Sequence, residues 1–338
     1  MSSASAELRA LGRGGLSVGP NAFGVAPIAN SGRAVSDADA AGALEAAWDA
    51  GVRYFDTAPH YGVGLGERRL GDFLRTKPRD EFVLSTKVGR LLVQNPLGVQ
   101  PDDEGFDVVG SVTRRRDYSA DGVRRSLEES LERLGLDRID VVFVHDPDDH
   151  YREAMDGSFP ALDALRREGT IVSYGAGMNQ SAMLADFIRN TDLDVIMCAG
   201  RYTLLEQGAL DELLPAASER QVSIVAAAVF NSGLLARDRP VAGTTYNYAP
   251  APAEVLERVS AIADVCDAHG VPLPAAALQF ALGHPAVATI CTGARSAEQV
   301  GRNAALFEVE IPDALWVDLV SAGLLDSRAP HPAREVLP

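Results

Sequence analysis

Four polar residues of this sequence could carry out proton transfer, because each stands at or just beyond the end of a strand-like apolar run. Asp56 ends the run VRYFD, and Tyr61 follows five residues later in YFDTAPHYG. Lys87 ends FVLSTK, and His145 ends VVFVH. An acid, a phenol, an ammonium and an imidazole therefore stand at the ends of consecutive strand-like runs.

These residue types form a proton-transfer site when they meet. A free phenol has a pKa of about 10, which is too high for ready proton exchange at neutral pH. A lysine ammonium beside it favours the tyrosinate, and a carboxylate keeps that lysine charged and oriented. We therefore expect Asp56 to hold Lys87, and Lys87 to lower the pKa of Tyr61. Tyr61 would act as general acid on a carbonyl or general base on an alcohol, and a neutral His145 would hydrogen-bond the same oxygen.

Alternating strand-like and helix-like patterns predict the elements that position these residues. Short runs rich in β-branched residues, mostly apolar on both faces, are typical of parallel strands covered on both sides. They occupy residues 21–27, 52–57, 81–87, 140–146, 170–177, 194–200, 222–230 and 287–291. Helical patterns lie at residues 36–51, 66–75, 119–135, 160–168, 181–189, 208–220, 252–269 and 296–306.

Eight such units predict an α/β protein with one (β/α)₈ TIM barrel domain over residues 1–338. In a barrel of this kind the C-terminal ends of the strands form the rim that carries the chemistry. Two stretches fall outside the repeat, a long insertion at 88–118 after the third strand and an irregular tail at 323–338. Loops of that length are commonly lids or binding loops.

Composition and charge exclude several classes of partner. Acidic residues outnumber basic ones by 47 to 31, giving a formal charge of −16, which disfavours nucleic acids and anionic membranes. The three cysteines are far apart and have neither a disulfide pattern nor a metal-ligand spacing. The N-terminus lacks the pattern of a signal peptide, and no apolar run has the length of a membrane helix. We therefore expect a soluble cytoplasmic protein.

The chain resembles the aldo-keto reductase superfamily along most of its length. The segments YFDTAPHYGVGLGERRLG, STK and VFVHDPD match that family's motifs in order and spacing. The resemblance implies a (β/α)₈ barrel, NAD or NADP bound without a Rossmann domain, and hydride transfer at a carbonyl or carbinol carbon. It also implies that the catalytic residues are Asp56, Tyr61, Lys87 and His145.

One glycine-rich segment is similar to a dinucleotide-binding fingerprint but does not complete it. GVGLGE follows a strand and opens a helix, yet the last glycine position holds Glu67. Gly62 and Gly64 more simply predict a tight turn that presents Tyr61, and Glu67 suits the first turn of a helix.

A better phosphate site is TGARSAEQVGRNAAL at 292–306, where small residues lead into a helix whose free amides face an anion. The alternative is an ordinary surface helix with Ser296 as its N-cap. The family resemblance places the dinucleotide phosphates and adenosine here, through Gly293, Ala294, Arg295, Ser296, Gln299 and Asn303. It also implies that Asn179 holds the nicotinamide amide. The loop FNSGLL is a further cofactor segment, with Phe230, Asn231, Ser232, Gly233 and Leu234.

Two departures from the family pattern affect the cofactor. Many relatives have a tyrosine on strand seven against the nicotinamide, whereas this strand reads AAAVF, which leaves open whether Phe230 replaces it. The helix entrance GARSAEQ has no lysine, although a 2′-phosphate favours paired cations. Arg295 and Arg302 are the available arginines. We therefore expect NAD rather than NADP.

Several segments resemble bacterial dehydrogenases of the D-threo-aldose, L-fucose and pyridoxal 4-dehydrogenase type. These are GLGERRLGDFL, STKVGRLL, AGRYTLLEQ, VFNSGLL and the long insertion. Fucopyranose and pyridoxal exist largely as cyclic hemiacetals, whose oxidation gives a lactone. We therefore expect oxidation of a sugar or pyridoxal-like hemiacetal. Candidate substrate contacts are the insertion, the tail, Tyr118, Arg201 and Tyr202.

Other interpretations remain open at this point. Each of the four rim residues, taken alone, could have a purely structural role, such as a capping acid or a packing aromatic. A metal-dependent barrel hydrolase could use His145, Asp146 and Asp148 as ligands, although the histidines are scattered and none pair on the first strand. A general aldehyde or ketone reductase using NADPH, or an accessory subunit that binds cofactor without turnover, fits the same rim residues.

Overall fold

Eight parallel strands close into a barrel in the computed structural model, which describes residues 8–241, 243–247 and 249–332. Each strand pairs with its neighbours in chain order, and the eighth strand pairs with the first to close the ring. The strands are β1 (Asn21–Gly24), β2 (Tyr54–Asp56), β3 (Val83–Val88), β4 (Val141–His145), β5 (Ser173–Met178), β6 (Val195–Ala199), β7 (Ser223–Ala227) and β8 (Val287–Thr292). The predicted (β/α)₈ barrel is confirmed.

Helices cover the outside of the barrel. They are α1 (Asp37–Asp49), α2 (Leu65–Leu74), α3 (Ala120–Leu134), α4 (Phe159–Arg167), α5 (Ser181–Asn190), α6 (Leu213–Arg220), α7 (Ala253–Ala268), α8 (Leu273–Phe280), α9 (Ala297–Phe307) and α10 (Asp313–Ser321). Shorter helical turns occupy Ala26–Ala29, Arg79–Glu81, Tyr151–Glu153, Ala154–Ser158, Gly208–Leu210, Asn231–Gly233 and Ala281–Gly283.

Local sequence explains where several of these helices begin and end. The hydroxyl of Ser36 accepts a hydrogen bond from the Asp39 amide at the start of α1, and Ser119 does the same for Gly122 at the start of α3. Gly135 ends α3 in the left-handed conformation. The sequence did not predict α8 and α10. Nearly every residue of α8 is buried, so it has no polar face to reveal a helical period.

The core consists of two layers, one inside the barrel and one between strands and helices. On β4, Val141 and Phe143 join the inner cluster with Tyr54, whereas Val142 and Val144 join the outer one. Because both faces of the strands are buried, the strands read as continuous apolar runs. An antiparallel hairpin, Arg9–Leu11 with Leu16–Val18, adds Leu11 and Val18 to the inner cluster.

The predicted insertion is an ordered β-ribbon, and we call residues 90–116 the arch. Arg90–Gln94 pairs antiparallel with Val112–Arg116, and Gln100–Pro101 pairs with Val109–Gly110. The arch reaches the loop after β1, where the Gly32 amide donates to Gly105 O at 2.9 Å. Ser31 and Phe106 form a β-bridge at the same place. The arch therefore crosses one side of the C-terminal rim.

The remaining elements are minor. Thr245–Tyr246 pairs antiparallel with Ala249–Pro250 after β7. Residues 322–332 of the tail contain no helix or strand, and residues 333–338 lie outside the described range. No described helix combines the length and apolarity needed to span a membrane. The cysteines Cys198, Cys266 and Cys291 are buried and unpaired.

Candidate active site

The ends of two adjacent strands bring an ion pair to the rim. Lys87 on β3 donates from Nζ to Oδ2 of Asp56 at the end of β2, at 2.6 Å, and to the carbonyl of Thr57 at 3.0 Å. Ser85, also on β3, donates to the other Asp56 oxygen at 2.7 Å. Lys87 and Asp56 are both only 2% exposed. The side chain of Lys87 is therefore held in one position.

A tight turn presents Tyr61 to this ion pair. Gly62 and Gly64 have φ values of 59° and 81°, which favour glycine. A Cβ on Gly62 would lie 2.4 Å from the carbonyl oxygen of Ala29, so a side chain does not fit there. The Tyr61 ring centroid lies 4.7 Å from Lys87 Nζ and 5.8 Å from the His145 ring, to which it is nearly perpendicular. The four rim residues expected from the sequence thus meet.

The protonation states follow from burial and neighbouring charges. Burial raises the pKa of Tyr61 to about 12, although Lys87 acts to lower it. The expectation of a net lowered pKa for Tyr61 is therefore wrong, because desolvation of the phenolate outweighs the ammonium. Burial also opposes the charge on Lys87, but Asp56 and Tyr61 more than offset it and raise the pKa of Lys87.

His145 is neutral at physiological pH, as its expected role requires. Burial, together with the positive charges of Lys87 and Arg90, holds the pKa of His145 well below its ordinary value. A neutral imidazole keeps one N–H that can be donated to a substrate oxygen. Its Nε2 lies 3.5 Å from Oδ2 of Asp146.

The arch adds residues to the rim that the sequence did not single out. Arg90 is 7% exposed and donates to Asp146 at 2.7 Å and to Glu104 at 3.1 Å. Phe106 lies 6.1 Å from the Tyr61 ring and 5.1 Å from the His60 ring, measured between centroids. No local pattern marks these residues, because they reach the rim only through the path of the arch.

Glu67 also has a larger role than the first turn of α2. It is fully buried, accepts from Thr86 Oγ1 at 3.0 Å, and pairs with Arg133 Nε at 2.5 Å. These contacts join α2, β3 and α3 directly behind the loop that carries Tyr61. Glu67 therefore holds in place the elements that carry Tyr61 and Lys87.

The expected phosphate segment forms a capped helix start after β8. Ser296 Oγ accepts from the Gln299 amide at 3.3 Å, and the Arg295 amide donates to Gln299 Oε1 at 2.8 Å. A Cβ on Gly293 would lie 2.5 Å from Pro27, so only glycine fits at that position. Arg295 donates to the carbonyl of Ser31 at 2.8 Å. Ala294 is buried at this helix entrance.

Two asparagines are free to bind a ligand. Asn179 is partly exposed just after β5, and Asn303 lies on α9 with 6% exposure. Within the described residues neither side-chain amide has a hydrogen-bond partner. Both positions therefore fit the cofactor contacts implied by the family resemblance.

The loop after β7 fits only in part. The Asn231 side chain accepts from Thr203 at 2.7 Å and donates to the carbonyl of Gly200 at 3.3 Å, so it joins two rim loops. Leu234 is 1% exposed and packs in the outer core cluster. We therefore do not propose these two side chains as cofactor contacts. Ser232 and Gly233 are exposed, and Phe230 is half-buried.

The three expected substrate residues have different locations. Tyr118 is 1% exposed, and its hydroxyl donates to the carbonyls of His145 and Asp146 at 2.7 and 2.8 Å. Tyr202 is 2% exposed and packs against Phe280. A substrate role for these tyrosines is therefore not supported, because burial removes them from solvent. Arg201 is partly exposed and donates to Asn247.

The chain belongs to the aldo/keto reductase family, whose model matches residues 21–322. It is 49% identical over 316 residues to D-threo-aldose 1-dehydrogenase from Pseudomonas sp, covering 92% of this chain and 96% of the relative. It is 44% identical over 339 residues to pyridoxal 4-dehydrogenase from Microbacterium luteolum, covering 95% and 98%.

The fold has solved counterparts. A holo-form aldo-keto reductase from Bacillus halodurans matches with a TM-score of 0.74 and 26% identity, covering 93% of this chain and 95% of that one. The chain is accordingly an oxidoreductase of a family that uses nicotinamide cofactors. Over the described ranges, no three His, Cys, Asp or Glu side chains are grouped to hold a metal ion.

Proposed function

We propose that this protein transfers hydride between a cyclic hemiacetal, from an aldose or pyridoxal, and a nicotinamide cofactor, giving a lactone. The observation that carries the proposal is the convergence of Tyr61, Lys87 and His145 at one rim, with Lys87 anchored by Asp56. The substrate class is supported by the two similar relatives, which are an aldose 1-dehydrogenase and a pyridoxal 4-dehydrogenase.

The rim residues fit a dinucleotide. The α9 start presents the N-terminal end of a helix to an anion, and among the described residues the side-chain amides of Asn179 and Asn303 have no hydrogen-bond partner. When bound, the cofactor supplies the hydride acceptor or donor. The residues of this chain hold the cofactor against the strand ends and transfer the proton to or from the substrate oxygen.

Each catalytic side chain has a defined task. His145 donates its N–H to the anomeric oxygen and positions it beside Tyr61. Oxidation of the anomeric carbon releases the hydroxyl proton, which the Tyr61 oxygen accepts. The Lys87 ammonium stabilises the tyrosinate that must form before this transfer, and Asp56 keeps Lys87 protonated.

Hydride transfer in the opposite direction, from the reduced cofactor to an aldehyde or ketone, is a second candidate function. Its support is the raised pKa of Tyr61, because a phenol with a pKa of about 12 is protonated at neutral pH and ready to act as an acid. Assays must therefore run in both directions.

We propose NAD as the cofactor. Arg295 is the arginine at the helix entrance, and its guanidinium already donates to Ser31 O. Burial and the charge of the nearby, exposed Arg33 lower the pKa of Arg295, and Arg302 is exposed on the helix. A 2′-phosphate would need a free cation pair at this place. Titrating the protein with NADH and NADPH and following the fluorescence of the bound cofactor tests the preference. A tenfold tighter binding of NADPH would overturn it.

Substrate profiling tests the proposed activity. Aldoses and pyridoxal are supplied with NAD⁺ and NADP⁺, and the absorbance of the reduced nicotinamide is followed. We expect oxidation of at least one hemiacetal and recovery of the lactone. Rapid reduction of simple aldehydes without any hemiacetal oxidation would favour the general reductase. Cofactor binding without turnover in either direction would favour an accessory subunit.

A further inference from the structure

We propose that the arch makes the enzyme selective for hydroxyl-rich aldose rings, through acceptor oxygens of Glu104 and Asp146 that Arg90 holds beside His145. The inference rests on the proposed function, since it names which hemiacetal that site prefers. The arch would thus be the part of the chain that distinguishes a sugar from pyridoxal.

The first observation is the position of Arg90 relative to the reacting centre. Its guanidinium joins Asp146 Oδ2 at 2.7 Å to Glu104 Oε2 at 3.1 Å. The same Asp146 oxygen lies 3.5 Å from His145 Nε2. The Asp146 carboxylate therefore lies next to the imidazole that would hold the anomeric oxygen, and Arg90 links the Glu104 carboxylate to it.

The second observation is that each carboxylate has an unused acceptor. The Glu104 and Asp146 side chains are 29% and 33% exposed, so they face the rim rather than the core. The contacts with Arg90 use only Oε2 and Oδ2. Within the described residues, Oε1 of Glu104 and Oδ1 of Asp146 have no hydrogen-bond partner. Ionised carboxylates are acceptors only, and they match sugar hydroxyl donors.

The third observation is an aromatic ring of the arch beside Tyr61, which at 8% exposure leaves only an edge accessible. Phe106, carried by the arch, lies over Tyr61 and His60 with ring centroids at 6.1 and 5.1 Å. A pyranose ring presents C–H groups on its faces and hydroxyls around its edge. Phe106 can contact the face while Glu104 and Asp146 accept from the edge.

The charges of the cluster indicate which ligands are excluded. Glu104 and Asp146 each carry a carboxylate at the edge where a ring hydroxyl would bind, so a phosphate that replaced that hydroxyl would meet a like charge there. Sugar phosphates should therefore be poor substrates. A site that accepts hydrogen bonds from a substrate hydroxyl also discriminates strongly against analogues that lack it, because its polar atoms stay unpaired.

The arch provides a matched control for the experiment. Asp102 pairs with Arg114 and accepts from the backbone amides of Glu104 and Phe106 at 3.1 and 3.0 Å. Its side chain is only 4% exposed. Asp102→Asn therefore weakens the arch while the Glu104 acceptor remains. In Glu104→Gln the amide oxygen is needed by Arg90, so the position facing the substrate becomes an NH₂ donor.

The experiment compares wild type, Glu104→Gln and Asp102→Asn on the best aldose, its 2-deoxy and 3-deoxy analogues, its phosphate, and pyridoxal. We expect Glu104→Gln to lower kcat/KM for the aldose at least about tenfold, with less than about threefold change for pyridoxal. At least one deoxy analogue should be a poor substrate for wild type and lose little further activity in Glu104→Gln. Asp102→Asn should lower the melting temperature, and it should lower the aldose-to-pyridoxal ratio of kcat/KM less than Glu104→Gln does, because the Glu104 carboxylate is still present.

Three results would overturn the inference. Equal losses on aldose and pyridoxal in Glu104→Gln would show that Glu104 only anchors the arch. If wild type turns over every deoxy analogue as well as the parent sugar, the site does not recognise these hydroxyls through hydrogen bonds. Efficient turnover of the sugar phosphate would contradict the charge argument. If wild type oxidises no hemiacetal at all, the proposed function itself fails, which is a different outcome from these three.

Discussion

Lys87 and Asp56 form an ion pair with 2.6 Å between Nζ and Oδ2, and neither side chain is open to solvent. Burial opposes the charge on Lys87, and Asp56 together with Tyr61 more than offsets it and keeps the pKa of Lys87 raised. The pair therefore links the stability of the barrel rim to the proton chemistry of Tyr61.

Breaking this pair should destabilise the protein. Asp56→Asn leaves Lys87 buried without a counter-ion, so we expect a loss of about 3–5 kcal/mol in the free energy of unfolding. Chemical denaturation measures it. In the double variant Asp56→Leu, Lys87→Met the stability should return toward wild type while activity stays absent. A double variant less stable than Asp56→Asn would contradict this explanation.

Removing the phenolic hydroxyl should abolish turnover and spare the fold. Tyr61→Phe keeps the ring that contacts Phe106 and His145 but removes the group that exchanges the proton. We expect a decrease in kcat of at least about 100-fold with nearly unchanged cofactor affinity. Steady-state kinetics and cofactor fluorescence measure the two quantities. Parallel loss of both would identify Tyr61 as a structural residue.

The pH dependence should differ between the two directions. Oxidation needs the deprotonated phenol, and the pKa of Tyr61 is about 12. Below that pH the tyrosinate fraction grows as pH rises, so the oxidation rate should increase through the neutral and alkaline range. Reduction needs the protonated phenol and should be flat there. Rate profiles in both directions test this, and an oxidation rate that falls with rising pH is the opposite result.

Two glycine-to-alanine changes should have opposite effects on stability. In α2, a Cβ on Gly71 would lie 2.2 Å from the carbonyl oxygen of Leu134, so Gly71→Ala should destabilise the protein by about 1–3 kcal/mol. In α1, a Cβ on Gly42 has no atom within 4 Å. Gly42→Ala should stabilise the protein by about 0.5–1 kcal/mol through helix propensity. Thermal melting distinguishes them, and a destabilised Gly42→Ala would contradict the propensity argument.

The sequence predicted the barrel because strands buried on both faces, alternating with capped amphipathic helices, leave a strong local signal. It predicted the meeting of Asp56, Lys87 and His145 because parallel strand ends share one rim. It did not predict the raised pKa of Tyr61. Burial raises this pKa and the charge of Lys87 lowers it, and which effect is larger depends on how the side chains pack. Tyr118 was misread for the same reason, since its sequence position does not reveal that its hydroxyl is buried.

The arch shows a different limit. Arg90, Glu104 and Phe106 come from a segment without a periodic pattern, and they reach the rim only because the ribbon docks on the loop after β1. Tertiary docking of this kind leaves no trace in local spacing. The same reason hid the contacts of Glu67 with Thr86 and Arg133.

The arch is one continuous stretch between β3 and α3, and none of the four catalytic side chains comes from it. In the function proposed above, the arch would contribute Glu104 to substrate selectivity, whereas the reacting groups lie at the strand ends and on the loop of Tyr61. Substitutions confined to the arch could therefore change the range of substrates while Asp56, Tyr61, Lys87 and His145 stay unchanged.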